Sequence, residues 1–369
     1  MRFVFFTESL ISCWNHGNAH FLRGVIRALL RNGHEVRSFE PADGWSRQNL
    51  VRDHGARALG RFAEDFPELA TVPDLAGDDL DAMLDGANVV IVHEWTDHKL
   101  VAAIGRARKQ GGRFTLLFHD THHRMVSDPA SMTAYDLSGY DGVLAFGESL
   151  AVKYRAQGWG DRVFVWHEAA DVELFKPPAR EGEREGAVWI GNWGDDERSD
   201  TLRAFMFQPA ASAGIPLDIY GVRYPRAALD ELAAKGIRYH GWAANADAPG
   251  IFARHMMTVH VPRRFYQENL PGIPTIRMFE AMACGIPLLS APWRDTESLF
   301  TAGEDYLLAE TPQRMEANMR DVAHDEALRQ SLAAHGLATI RARHSCAHRA
   351  DELLEILNKL RHPALAETC

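Results

Sequence analysis

Apolar and polar positions fall in blocks along this chain, and the blocks recur in one order. Residues 2–7 form a short, β-prone apolar run. A loop over 12–18 follows, and then Phe21, Leu22, Val25, Ile26, Leu29 and Leu30 recur at helical spacing until Asn32-Gly33 closes the helix. Residues 36–39 read as the next strand, which completes a parallel strand–helix–strand unit. The near-continuous apolar run Val89–His93 is the pattern of a strand buried on both faces. Residues 99–109 read as a helix, and 114–119, 143–146 and 163–166 as further strands. The stretch 41–80 is less regular and reads as helices and loops.

At 176–186 two prolines, two glycines and a charge run interrupt the pattern and mark a linker. A second strand series follows at Ala187–Ile190, Leu217–Tyr220, 237–240, 258–261, 287–290 and 306–308. The expected organisation is a domain over 1–176, a second over 187–345, and a C-terminal segment over 346–369. In that last segment Leu353, Leu354, Ile356, Leu357 and Leu360 make an amphipathic helix, expected to pack back on the first domain. Residues 361–369 are expected to fray.

Composition narrows the function classes. The 369 residues are 46% hydrophobic and 24% charged, as in folded globular proteins. Lys and Arg number 40 against 50 Asp and Glu, a net charge of −10. That argues against nucleic acid as a partner, which requires a basic footprint. An anionic ligand would need local arginines or a helix N-terminus. Cys13, Cys284, Cys346 and Cys369 form no C-x-x-C pair, so zinc and thiol-redox motifs are absent. No stretch reaches the roughly 18 apolar residues of a membrane span. The N-terminal apolar run is too short for a signal peptide and Glu8 breaks it. The expectation is a soluble cytoplasmic protein, with at most peripheral membrane association.

In parallel α/β sheets ligands bind beyond the carboxyl ends of the strands, and here those loops hold the chemistry. Gly17 and Asn18 precede the first helix, where backbone amides favour an anion or a hydroxyl; the alternative is a plain turn. Glu94 after His93 suits sugar hydroxyls, with Trp95 as a stacking surface; the alternative is a polar cap beside a core tryptophan. His119-Asp120-Thr121-His122-His123 does not have metal-ligand spacing, since adjacent ligands rarely converge on one ion. His119 and Asp120 are instead candidates for acid–base or orienting work on a cleft rim, against an exposed polar turn. Gly191, Asn192 and Gly194 open the loop after Ala187–Ile190. Arg198 follows, its planar fork suited to phosphate, unless it pairs with an acid on a helix surface. Arg263 ends a strand. Thr275 stands at a helix start, with Arg277 and Glu280 within the next two turns and Gly285 closing the helix. Phosphate at the helix start and ribose at Glu280 together describe a nucleotide; the alternative is a surface ion pair between Glu280 and Arg277.

The run Phe279-Glu280-Ala281-Met282-Ala283-Cys284-Gly285-Ile286-Pro287, with Glu297 further on, resembles the donor-site signature of the group 1 glycosyltransferases. Gly191-Asn192-Trp193-Gly194, Glu197-Arg198 and Arg277-Met278-Phe279-Glu280 resemble, more narrowly, the spore-maturation-protein branch of that group. Further resembling segments, among them Asn32-Gly33-His34-Glu35-Val36 and His119-Asp120-Thr121-His122, spread the likeness over nearly the whole chain. It implies the GT-B fold, α/β throughout, with two facing Rossmann-like domains of parallel sheets. It also implies a hexosyl transfer from a nucleotide-diphosphate sugar to a glycan, protein or small-molecule acceptor, retaining and without a metal or other cofactor. The second domain would hold the donor and the first the acceptor. The family often has two glutamates with seven residues between them. Glu280 matches the second, but Gly272 stands at the first. That departure motivates one alternative, a degenerate nucleotide- or glycan-binding protein. Because a fold does not fix a reaction, a nucleotide-sugar epimerase or phosphorylase on the same fold is another, the phosphorylase disfavoured since no lysine falls in the resembling donor motifs.

Overall fold

Strands form two wholly parallel sheets in the computed structural model, which describes residues 1–179, 182–194 and 196–362. The seven-stranded sheet holds β1 (Arg2–Phe6), β2 (Glu35–Glu40), β3 (Pro73–Leu75), β4 (Val89–His93), β5 (Thr115–Asp120), β6 (Gly142–Ala145) and β7 (Val163–Val165), in the order β3-β2-β1-β4-β5-β6-β7. The six-stranded sheet holds β8 (Ala187–Ile190), β9 (Leu217–Tyr220), β10 (Arg238–Tyr239), β11 (Met257–His260), β12 (Leu288–Ser290) and β13 (Leu307–Leu308), in the order β10-β9-β8-β11-β12-β13. In both sheets the winding reverses beside the first strand, between β1 and β4 and between β8 and β11. The loops leaving those strands therefore diverge and open a crevice at each carboxyl edge.

The chain divides into two compact units, Met1–Glu168 with the segment from Cys346, and Ala169–Ser345. The second unit takes up the chain at once, because Ala170 pairs with Ser345 in a parallel bridge and Ala170 and Phe175 enter its core. The segment 176–186 thus lies inside that unit. Arg180, Glu181 and Asp195 fall outside the described residues, as do 363–369, where fraying is expected.

Every residue of β4 is buried, and Phe3 to Phe6 of β1 are likewise enclosed, which is why these runs carry no alternation. Helix Asn18–Arg31 follows β1 and packs against helix Cys346–Arg361, so it is buried on most of its circumference. The stretch 41–80 adds one element to the expected helices: β3, paired with β2 at the sheet edge. Its Pro73 suits an edge and its exposed Leu75 gives no buried alternation. Among the described residues no helix is long and apolar enough to cross a membrane.

Candidate functional site

In the first unit the carboxyl edge carries a row of level side chains. His93 of β4 stands in register with His119 of β5. Thr7 lies one residue beyond the last β1–β4 pair, Phe6 with Val92. In-register neighbours point to the same face of a sheet, so Thr7, His93 and His119 form one line across three strands. The His93 and His119 rings are 5.5 Å apart and His16, from the loop after β1, lies 6.0 Å from His93. Phe21 and Trp166 close on His119 at 6.0 and 4.9 Å. His119, Asp120 and Glu94 are fully enclosed, which removes the exposed-turn alternative, while Trp95 is 43% exposed and is not a core residue.

Several buried polar atoms in this row, and in the residue that starts the helix after β1, have no hydrogen-bond partner: Thr7 Oγ1, His16 Nε2, His93 Nδ1, Glu94 Oε1 and both ring nitrogens of His119, and both amide atoms of Asn18. Buried polar atoms are nearly always paired, so such a concentration marks a place built for something else. Burial holds His119 and His16 neutral, with pKa values lowered to about 3, and His93 well below its usual range. Burial, helped by the charge of Asp120, lifts Glu94 well above the carboxylate range. Asp120 is pushed up to about 6 by burial, even though it accepts from the His122 amide at 3.0 Å and the Tyr154 hydroxyl at 2.7 Å. Arg124 donates to the Glu94 carbonyl at 2.9 Å and to its carboxylate at 3.3 Å, with its guanidinium 4.3 Å from the Trp95 ring centre. Gly17 precedes the helix with helical backbone angles, and no side chain caps that helix.

In the second unit the crevice beside β8 holds Arg198. Its guanidinium is buried and donates to the Val261 carbonyl at 3.0 Å and the Asn192 carbonyl at 2.5 Å, above the Trp189 ring at 5.1 Å. It has no ion-pair partner among the described residues, contrary to the surface-pair alternative. Burial, and then the facing charge of Arg263, lowers its pKa to about 10. Arg263 lies 3.8 Å from Glu197 Oε1, and Glu197 Oε2 accepts from the Arg264 amide at 2.9 Å. Asn192 Oδ1 accepts from the Val222 amide at 2.8 Å; a Cβ at Gly221 would overlap the Gly191 carbonyl oxygen, and one at Gly191 would meet the Trp189 ring at 2.5 Å.

Thr275 precedes helix Ile276–Ala283 without capping it. Glu280 is only 1% exposed and pairs with Arg277, so the expected partner is present but the acid is not on the surface. His260 ends β11. Its Nδ1 meets Ser290 Oγ at 2.9 Å, and that hydroxyl donates to the Ala291 carbonyl at 2.8 Å. The imidazole must therefore carry its proton on Nδ1. Nε2 is left as a buried acceptor without a partner.

Position 272 explains its glycine. Its φ is +91°, and an added Cβ would meet the Thr296 hydroxyl and come within 3.0 Å of Glu297 Oε1. The Thr296 hydroxyl thus occupies the space where a side chain at 272 would begin, and the Glu297 carboxylate borders it. Gly272→Glu is expected to cost about 1–3 kcal/mol through backbone strain and overlap and to lower Tm in a thermal melt. An unchanged Tm would show that the space is open.

Sequence reasoning selected Gly17, Asn18, Glu94, His119 and Asp120 in one unit and Gly191, Asn192, Arg198, Arg263, Thr275, Arg277 and Glu280 in the other; His119 and Asp120 are the last two residues of β5, Glu280 lies inside helix Ile276–Ala283, and the others lie on loops or at helix starts. It passed over Thr7, His16, His93 and His260. The available signal was a polar residue closing an apolar strand, as in Val89–His93. Among the described residues no group of three or more His, Cys, Asp or Glu is arranged to hold a metal ion.

Residues 198–355 match the family model described as glycosyl transferase-like. A search among curated proteins finds no match. Among solved structures, the chain is similar to Anabaena HepE in complex with UDP and glucose, at 14% identity and a TM-score of 0.65 over 97% of this chain and 99% of that one. It is similar to the sucrose-phosphate synthase of Thermosynechococcus elongatus, at 15% identity and a TM-score of 0.65 over 98% and 100% of the two chains. T4 phage BGT, in complex with its UDP-glucose substrate, matches at 10% identity and a TM-score of 0.60 over 98% and 99%. The fold is GT-B, as the motifs led one to expect.

Proposed function

We propose that this chain is a metal-independent, retaining glycosyltransferase that moves a hexose from a uridine-diphosphate donor to an acceptor hydroxyl. The observation that carries the reading is the pair Arg198 and Arg263. The charge of Arg263 bears on the buried Arg198 guanidinium beside Asn192, and Glu197 lies near both. Two guanidiniums clustered in this way suit a diphosphate. The glycosyl transferase-like match over 198–355 and the uridine nucleotides named for HepE and T4 phage BGT support the same choice. The motifs Gly191-Asn192-Trp193-Gly194 and Arg277-Met278-Phe279-Glu280 favour the spore-maturation-protein branch within it.

In this reading Arg198, Arg263 and the helix start at Thr275 hold the two phosphates and take up the charge that develops as they leave. Glu280, fixed by Arg277, accepts hydrogen bonds from the ribose hydroxyls. Glu297 supplies the carboxylate that position 272 lacks, directed at the donor sugar. The acceptor oxygen forms its bond to the anomeric carbon as the carbon–phosphate oxygen bond breaks. The bonding pair leaves with the diphosphate, which takes the acceptor proton. His119 and Asp120 orient the reacting hydroxyls.

Incubation of the pure protein with UDP-glucose and a panel of saccharide acceptors, in EDTA, tests this. UDP release that depends on acceptor and survives EDTA is expected. Absence of UDP binding by calorimetry together with no turnover of any nucleotide sugar would overturn it. Glu297→Gln should lower turnover while leaving UDP affinity near wild type, because the nucleotide moiety does not reach that carboxylate in this assignment.

A further inference from the structure

His260 is a buried titratable group that the proposed transfer leaves unused. It ends β11, in register with Ser290 of β12, and is 3% exposed. The Ser290 hydroxyl gives its single proton to the Ala291 carbonyl at 2.8 Å, so towards the imidazole it can only accept. Nδ1 therefore carries the ring proton and donates it to Ser290 Oγ at 2.9 Å. Nε2 presents a lone pair and has no partner. Burial, and then the charge of Arg198, lowers the pKa to about 3, which keeps the ring neutral at pH 7.

The ring stands between the two parts of the crevice assigned to the phosphates. On one side the carbonyl of the next residue, Val261, accepts from Arg198 at 3.0 Å. On the other, Trp293 meets the ring edge-on at 6.0 Å, and its indole N–H donates to the Ile273 carbonyl at 3.1 Å, two residues before Thr275. Helix Ile276–Ala283 packs on β11 and β12 and brings Arg277 and Glu280, which are paired with each other. Arg198 is the neighbouring charge that bears on the His260 ring, and with a pKa of about 10 it stays charged throughout the neutral range.

A lone pair in that place is mismatched to a fully ionised phosphate. Both atoms are acceptors, and a hydrogen bond between them needs a proton that neither holds. A terminal phosphate can supply one, because its second ionisation lies at about pH 6. We infer that one proton is shared between His260 Nε2 and a phosphate oxygen of the bound nucleoside diphosphate, and that in the transfer this is the proton given up by the acceptor hydroxyl. The second half of the inference rests on the transferase reading. In that step the acceptor O–H bond breaks and a phosphate O–H bond forms. The acceptor oxygen replaces the phosphate oxygen on the anomeric carbon, and the old bonding pair stays with the phosphate. The phosphates of the unreacted donor carry no proton to offer Nε2, so the contact strengthens only as the reaction proceeds and favours the transition state over the bound donor.

Calorimetry of UDP binding to the full chain at pH 6, 7 and 8 tests this, with uridine as the phosphate-free control. Free UDP is about half protonated at pH 6 and about one part in a hundred at pH 8, while the bound form keeps its proton. Wild-type affinity should therefore fall at least tenfold from pH 6 to pH 8. About one proton should be taken up per UDP at pH 8, read by comparing buffers of different ionisation heat. Uridine should bind alike throughout. His260→Gln places an amide donor where the lone pair stood, and Ser290→Ala frees the imidazole to carry its proton on Nε2. Both variants should take up no proton and should hold UDP at pH 8 at least as tightly as wild type. In turnover, His260→Gln should lower kcat at least tenfold without raising KM for UDP-glucose; an unchanged kcat overturns the second half of the inference. Variants that lose UDP affinity equally at every pH and keep the wild-type pH dependence overturn the first half, because that is the behaviour of a residue that only fills space. A wild-type UDP affinity independent of pH overturns the inference and leaves the transferase reading standing. No UDP binding at any pH, in wild type or either variant, overturns the transferase reading along with it.

Discussion

Asp120→Asn and His119→Phe should each lower glycosyl transfer by about 10²–10⁴-fold, the usual effect of losing a positioned acid, base or orienting group. Their UDP affinity should stay at wild type. The two residues do different work. His119 is neutral through burial, with its pKa lowered to about 3, so at pH 7 it moves no proton. Both of its nitrogens are unpaired and fit hydroxyls. Asp120 is pushed up to about 6, close to the working pH, and its carboxylate is aimed by the Tyr154 hydroxyl and the His122 amide. The same shift gives a stability check. The folded-state pKa lies above the ordinary 3.8, so the folded chain holds this proton longer than the unfolded chain. The contribution to stability is therefore present at pH 4, falls as pH rises towards about 6, and is absent above it. Asp120→Asn cannot ionise, so its Tm should exceed wild type at pH 7.5 and match it near pH 4. Near-wild-type turnover in both variants, measured by UDP release, would remove the pair from the mechanism.

The strands were legible because burial on both faces of a parallel sheet writes itself as unbroken apolar runs; Val89–His93 and Ala187–Ile190 are found where the sequence puts them. The edge strand Pro73–Leu75 was not legible, since an edge with a proline and an exposed leucine has neither run nor alternation. The loops after strands were legible as candidate sites by the edge rule alone. Register was not. Thr7, His93 and His119 are far apart in the chain, and only the pairing of β1, β4 and β5 puts them on one line. Burial was not legible either. Glu280 on a helix reads equally as a surface acid, and only packing encloses it. Gly272 shows the limit from the other side: a missing glutamate reads as a loss, while the structure shows the Thr296 hydroxyl and the Glu297 carboxylate crowding the place where its side chain would start.

Arg198→Ala should weaken UDP binding by about 10–150-fold, which is the loss of a charge-assisted contact worth about 1.5–3 kcal/mol. A simple affinity loss would not identify its cause, because Arg198 also ties Asn192 to Val261 through two carbonyls. Removing it also loosens the turn after β8. Uridine separates the two effects. It carries the base and ribose but no phosphate, so a phosphate contact predicts that uridine binds Arg198→Ala as it binds wild type. A collapsed turn predicts that uridine and UDP weaken together. Ionic strength gives a second axis. With a buried guanidinium facing the diphosphate, wild-type UDP affinity should fall as salt rises, more steeply than in the variant. Arg263→Ala should follow the same pattern and also raise the Arg198 pKa, since the charge of Arg263 is one cause of its depression to about 10. Equal losses for uridine and UDP in Arg198→Ala, with unchanged salt dependence, would assign the residue to loop structure and leave Arg263 and the Thr275 helix start to carry the diphosphate.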